Sequence, residues 1–207
     1  MFKRVLIANR GEIAIRIARA AASLGVESVA VHAPADSLSL HVRLATSARE
    51  LSTPCASTDP VRAYLDIDAL LLAARESGCD CVHPGYGFLS ENANFAQRCQ
   101  SEGLRFIGPQ PATLALFGDK VEARAFAQSQ GIPVVPGAAA ALASSDEARA
   151  LAQSVGWPVM LKAAAGGGGR GMRVARNDIS LKSGLHAAQQ EAEAAFKDGS
   201  VYIEKYI

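Results

Sequence analysis

The chain has 207 residues, 49% of them hydrophobic and 20% charged, with 21 basic against 20 acidic side chains and a formal net charge of +1. These values describe a globular protein with ample apolar material for a core. They exclude the charge excess that would draw nucleic acid or an anionic membrane through counterion release, so any anion must be held locally. The apolar run before Asn9 and Arg10 is too short for a signal peptide or a membrane span. Cys55, Cys79, Cys81 and Cys99 form no CxxC pair and stand beside no clustered histidines, so they are expected to be small buried hydrophobes in a reducing cytoplasm.

Short apolar runs alternate with helical patterns through the first two-thirds of the chain, as in parallel strands joined by crossover helices. Residues 5–8 read as a buried strand, and 11–24 as a helix with Ile13, Ile17, Ala20 and Leu24 on one face, ended by Gly25. A strand at 28–32, a helix at 67–76 and a strand at 80–83 follow, the last stopped by Pro84 and Gly85. A helix at 91–101 and a short strand at 104–107 lead to Gly108 and Pro109. The pattern predicts an α/β fold with an open, doubly wound parallel sheet, Rossmann-like, over residues 1–117.

A second domain is expected over 118–207. Asp119 followed by Glu122 resembles a capping box, opening a helix that ends at Gly131. Lys120 then falls in the first turn, facing the positive end of the helix dipole. That position is unfavourable by about 0.3–1 kcal/mol unless the helix N-H groups and the ammonium share an anion; a solvated surface lysine is the alternative. Ser145 is expected to cap a helix to 155, broken by Gly156, Trp157 and Pro158. Residues 159–162 read as a strand, 163–171 as a glycine-rich loop and 172–175 as the returning strand.

That loop carries a formal GxGxxG at Gly166, Gly168 and Gly171, but a dinucleotide fingerprint needs a helix directly after the glycines, and strand follows instead. A hairpin with Gly166, Gly167, Gly168 and Gly169 in succession offers backbone N-H groups that can approach phosphate without side-chain interference, beside Arg170. A ligand-free hairpin tip is the alternative. Lys162 favours the phosphate reading: an ammonium on the strand entering the loop can reach phosphates that the loop covers.

The segments HPGYGFLSEN (83–92), FIGP (106–109), IANRGEIAIRI near the start, the Gly118-Asp119-Lys120 step, the GGGGRGM loop and the closing VYIEKYI together resemble biotin carboxylase, an ATP-grasp family, over essentially the whole chain. The resemblance implies an incomplete ATP-grasp domain over 118–207 and an enzyme that uses magnesium and ATP to activate bicarbonate, then carboxylates biotin on a carrier protein. It also implies, as partners, biotin carboxyl carrier protein, a carboxyltransferase component and a second copy in a homodimer through the region of Arg16 and Arg19, which on spacing alone are equally well a solvated charged face.

Residue by residue, the resemblance makes Lys120 and Lys162 phosphate contacts and the glycines 166–169 a lid. Glu204, Lys205 and Ile207 become the segment that meets the adenine, Glu204 by its side chain. His83, Gly87, Glu91 and Asn92 fall on the first domain's face toward the active site. It further implies that catalytic and magnesium-binding residues lie beyond residue 207, so that this chain alone does not turn over. Two alternatives stay open: another ATP-grasp ligase, such as one like carbamoyl phosphate synthetase, and a non-enzymatic nucleotide-binding or interaction module.

Overall fold

In the computed structural model, which describes residues 1–51, 60–138, 141–142, 144–164 and 172–207, the chain divides into two units, Met1–Ala115 and Leu116–Ile207. The first contains β1 (Arg4–Ile7), α1 (Gly11–Ser23), β2 (Glu27–His32), α2 (Leu40–Leu44), β3 (Ser47–Glu50), α3 (Ile67–Glu76), β4 (Cys81–His83), α4 (Ala93–Ser101) and β5 (Arg105–Phe106). The helix α5 (Pro111–Gly118) runs across the division. All pairings are parallel, in the order β3-β2-β1-β4-β5.

Both faces of β1 are buried, as a central parallel strand requires. Leu6 and Ala8 enter a core with Leu70, Leu71 and Ala74 of α3 and Phe95, Ala96 and Cys99 of α4. Ile7 packs on Ala14, Ile17 and Ala18 of α1, and Val5 on Ala21 and Cys81. Each large aliphatic side chain buried this way contributes about 1.5–3 kcal/mol. The short helix α2 and the edge strand β3 have no counterpart among the predicted elements. In β3 the residues Ser47, Ala48, Arg49 and Glu50 are largely exposed, so no apolar alternation marks the strand.

The second unit contains α6 (Lys120–Ser129), α7 (Ser145–Val155), β6 (Val159–Ala163), β7 (Arg173–Ala175), α8 (Asp178–Phe196) and β8 (Val201–Lys205). Its sheet is antiparallel, in the order β7-β6-β8. Val159 and Leu161 of β6 and Val201 and Ile203 of β8 point into a core closed by Ala148 and Ala152 of α7 and by Leu181, Leu185 and Ala188 of α8. The cap of α7 is Ser144 rather than Ser145: its hydroxyl accepts the Glu147 N-H at 3.1 Å. The longest helix, α8, was not predicted, although Asn177 and Ser180 form a reciprocal capping box at its start.

Three of the cysteines fit their expected role. Cys79, Cys81 and Cys99 are buried and unpaired by disulfide, and burial pushes their thiols up to about 11, 12 and 12 respectively. Thiols held this high are protonated and unreactive at neutral pH. Cys55 lies outside the described residues.

Two histidines of the first unit make its stability depend on pH. His41 is 1% exposed, with Nε2 on the Val31 carbonyl at 3.2 Å and Nδ1 buried with no hydrogen-bond partner among the described residues. Burial lowers its pKa below 6.5, although the Val31 carbonyl and the Asp36 charge oppose the shift; burial lowers that of His83 as well. The unfolded chain therefore takes up these protons first, and their contribution is complete above about pH 6.5 and lost as pH falls from there through the lower folded-state values. Burial opposes the ionisation of Asp36 and Asp80, but hydrogen bonds from Tyr64 and Arg10 and from the Lys3 and Arg4 N-H groups hold both carboxyls low. Loss of those carboxylates is confined to more acid solution. Urea denaturation across pH 7.5 to 5 should show the first unit's midpoint falling with pH, with a shallower fall in His41→Gln.

Candidate functional site

Alternation along β6 sends Met160 and Lys162 to the face opposite the core. In the antiparallel register Lys162 pairs with Tyr202 and Met160 with Glu204. Lys162 and Glu204 are thus diagonal neighbours on one face, a separation that long side chains span. The Lys162 ammonium meets Glu204 Oε1 in an ion pair, with the two side chains 25% and 12% exposed.

Glu204 is held from its other side as well. Arg124, on α6, places Nη1 3.7 Å from Glu204 Oε2 and donates from Nη2 to the Val135 carbonyl at 2.7 Å. The Arg124 Nε is buried and finds no hydrogen-bond partner among the described residues. Two cations thus share one carboxylate in a site largely shielded from water. A cluster so composed favours an incoming anion, because the surplus positive charge is poorly solvated. Burial and the Glu204 charge push the neighbouring Tyr202 phenol up to about 12, so that it stays neutral.

The backbone of this corner is fixed by Gly137, which bridges Glu204 in antiparallel fashion. The Ala138 N-H donates to the Ile203 carbonyl and the Lys205 N-H to the Pro136 carbonyl, both at 2.7 Å. A Cβ on Gly137 would stand 2.4 Å from the Ile203 carbonyl oxygen and 2.7 Å from the Glu204 Cα, so only glycine fits. Lys205 turns its side chain elsewhere: Nζ donates to the carbonyls of Gly156 at 3.0 Å and Trp157 at 2.9 Å, securing the chain where α7 ends. The Lys205 ammonium is thereby committed away from the face that carries Lys162 and Glu204. Ile207 is 90% exposed.

Lys120 is the first residue of α6, as expected, but the helix N-terminus is already occupied. The Asp119 carboxylate accepts the N-H groups of Val121 at 2.8 Å and Glu122 at 3.1 Å. The anion facing the dipole is the chain's own, which offsets the cost of a lysine in the first turn and corrects the idea that those N-H groups wait for a ligand. Val121 packs on a small cluster with Ala138, Ala164 and Tyr202, which brings the start of α6 against the end of β6 where the glycine-rich run begins. Gly166, Gly167, Gly168 and Gly169 lie outside the described residues.

His83, Gly87, Glu91 and Asn92 belong to the first unit. Here Asn9, 3% exposed, occupies the gap between the ends of β1 and β4, donating from Nδ2 to the carbonyls of Pro84 at 2.8 Å and Tyr86 at 2.9 Å. Gly85 takes φ +72° with Asn9 directly beneath it, where a Cβ would meet Nδ2 at 2.6 Å. In a doubly wound sheet that gap is the usual ligand crevice, and here a side chain fills it. His83 Nδ1 accepts the Gly85 N-H at 3.0 Å. The Asn92 side chain is spent on capping α4, accepting the Phe95 N-H at 2.8 Å. Sequence reasoning missed Asn9, Gly137 and Arg124; for Arg124 the signal was its spacing of four residues from Lys120, which puts both cations on one helical face.

A parallel α/β unit followed by an antiparallel sheet with a lysine–carboxylate face fits the ATP-grasp class that the sequence resembles, and comparison with known families narrows it. Residues 1–114 match the biotin carboxylase N-terminal domain, and 119–207 match the carbamoyl-phosphate synthase L chain ATP-binding domain. The chain belongs to the biotin carboxylase family. It is 46% identical to a biotin carboxylase of Halalkalibacterium halodurans, over 100% of this chain and 45% of that protein. It is 48% identical to the mitochondrial pyruvate carboxylase of Mus musculus, over 99% of this chain and 17% of that protein.

Among solved structures, the biotin carboxylase domain dimer of the Hydrogenobacter thermophilus 2-oxoglutarate carboxylase, in complex with MgADP, ADP and bicarbonate, superposes with a TM-score of 0.93 at 42% identity, over 100% of this chain and 45% of that one. The chain thus spans less than half the length of these relatives.

Proposed function

We propose that this chain supplies the phosphate- and adenine-binding part of an enzyme that uses ATP and bicarbonate to carboxylate biotin. The observation that carries the reading is the paired Lys162 and Glu204 on β6 and β8, backed by Arg124, at the entrance to the glycine-rich run. Lys162 and Lys120 would neutralise ATP phosphates, the backbone of Gly166 to Gly169 would fold over them, and Glu204 with the backbone of Lys205 and Ile207 would meet the adenine. Magnesium would enter with the nucleotide and neutralise charge on the transferring phosphoryl group. Among the described residues no three His, Cys, Asp or Glu side chains gather as a cation site.

What the residues of this chain do is bind and orient. Low exposure at Glu204 strengthens each charge interaction, and a strand-borne lysine positions phosphate with little reorganisation. A carrier protein bearing biotin and a carboxyltransferase component are the partners this chemistry requires. A homodimer is proposed from the dimer that the related biotin carboxylase domain forms; Arg16 and Arg19 stand exposed on α1, and Arg16 lines an apolar cleft of about 500 Å³ with Val5, Ile17, Cys81 and Ile107. No helix of the described residues is long and apolar enough to cross a membrane, and the buried free thiols suit the cytoplasm.

The test is turnover by the complete carboxylase that contains this sequence. ATP cleavage should require both bicarbonate and biotin, and the isolated chain should cleave none. Cleavage that proceeds without biotin but with an amine donor would favour a carbamoyl phosphate synthetase-like ligase instead.

A further inference from the structure

The same carboxylate cannot serve two masters equally, and the geometry around Glu204 distinguishes its two cations. Arg124 is anchored: its planar guanidinium is tied through Nη2 to the Val135 carbonyl, on the segment that bridges β8 at Gly137. Its side chain is 16% exposed. Lys162 ends in a flexible stem and is 25% exposed. Lys162 is therefore the partner that can leave, and Arg124 the one that stays.

Resting on the nucleotide reading of this site, we propose that Arg124 is a positioning residue that releases Lys162 to phosphate by keeping a counter-charge beside Glu204. While Lys162 pairs with Glu204 it is unavailable to a phosphate. When it leaves, the poorly solvated carboxylate would be left without a cation, a state that costs enough to hold the lysine back. Arg124, 3.7 Å from Oε2 and with an unsatisfied Nε beside it, prevents that by tightening onto Glu204. The device acts only on ligands that recruit Lys162. It therefore selects for the polyphosphate of a nucleotide rather than for its adenosine part, and Glu204 stays in place to accept from the base.

Calorimetric titrations with MgATP and with adenosine, on the complete carboxylase and on its Arg124→Gln variant, test this. The expected result is a loss of about tenfold or more in affinity for MgATP against less than about twofold for adenosine. Arg124→Lys, which keeps the charge, should recover most of the loss and also serves if the glutamine variant fails to fold. In a Lys162→Met background, Arg124→Gln should leave the ratio of the two affinities unchanged, because no ammonium remains to be released. Equal losses for both ligands, or an undiminished effect in the Lys162→Met background, would mean that Arg124 merely braces the fold and would overturn the inference while leaving the nucleotide site intact. Failure of the unsubstituted complete carboxylase to bind either ligand would instead bring down the nucleotide reading and this inference with it.

Discussion

Gly137→Val should disrupt the second unit more than any other single change in its site. The glycine crosses β8 so closely that even a Cβ would lie 2.4 Å from the Ile203 carbonyl oxygen and 2.9 Å from the Glu204 Cβ. Backbone atoms of a paired strand cannot rotate away as a flexible side chain can. The crossing segment must lift off, and with it go the hydrogen bonds from Ala138 to Ile203 and from Lys205 to Pro136. Overpacking of this kind costs about 1–3 kcal/mol, and each lost backbone bond about 0.5–1.5 kcal/mol more. A fall in the unfolding midpoint of the second unit, with the first unit unchanged, is the expected outcome by hydrogen exchange. Because Glu204 sits at the crossing, nucleotide affinity should fall with it.

Glu204→Leu should have the next largest effect, through electrostatics. Lys162 and Arg124 would face each other across an apolar side chain, two largely shielded cations without their anion. Removing one partner of a buried ion pair costs about 3–5 kcal/mol. The remaining exposure of Lys162, 25%, argues for the lower end of that range, since water still reaches the ammonium. The diagnostic feature is salt dependence: raising ionic strength should recover stability in Glu204→Leu by screening the repulsion, and should do little for Gly137→Val. If both variants respond to salt alike, the shared carboxylate is not what neutralises this corner.

The parallel sheet was legible in the sequence because its central strands are buried on both faces and its helices carry one apolar stripe. Helix α3 was read to its end residues, since Asp66 caps it and no glycine or proline interrupts it. The edge strand β3 escaped because an exposed strand has no apolar pattern to show. Helix α8 escaped although Leu181, Leu185 and Ala188 recur at helical spacing; its five alanines dilute the contrast between faces.

In the candidate site, Lys162 and Glu204 could be named from motif and family, but their pairing depends on a register that only the fold supplies. The same holds for Asn9, whose partners are 75 and 77 residues away in sequence. Arg124 carries no motif at all, and its importance comes from what β8 brings to it.

The measurement that bears most directly on this account is a calorimetric titration of the complete carboxylase that contains this sequence with MgATP, repeated on Lys162→Ala. The site as described predicts saturable binding at one nucleotide per chain, weakened by about tenfold or more when the ammonium is removed. Equal affinity in the two proteins, or no binding to either, would contradict the assignment of the Lys162 and Glu204 face as the nucleotide site.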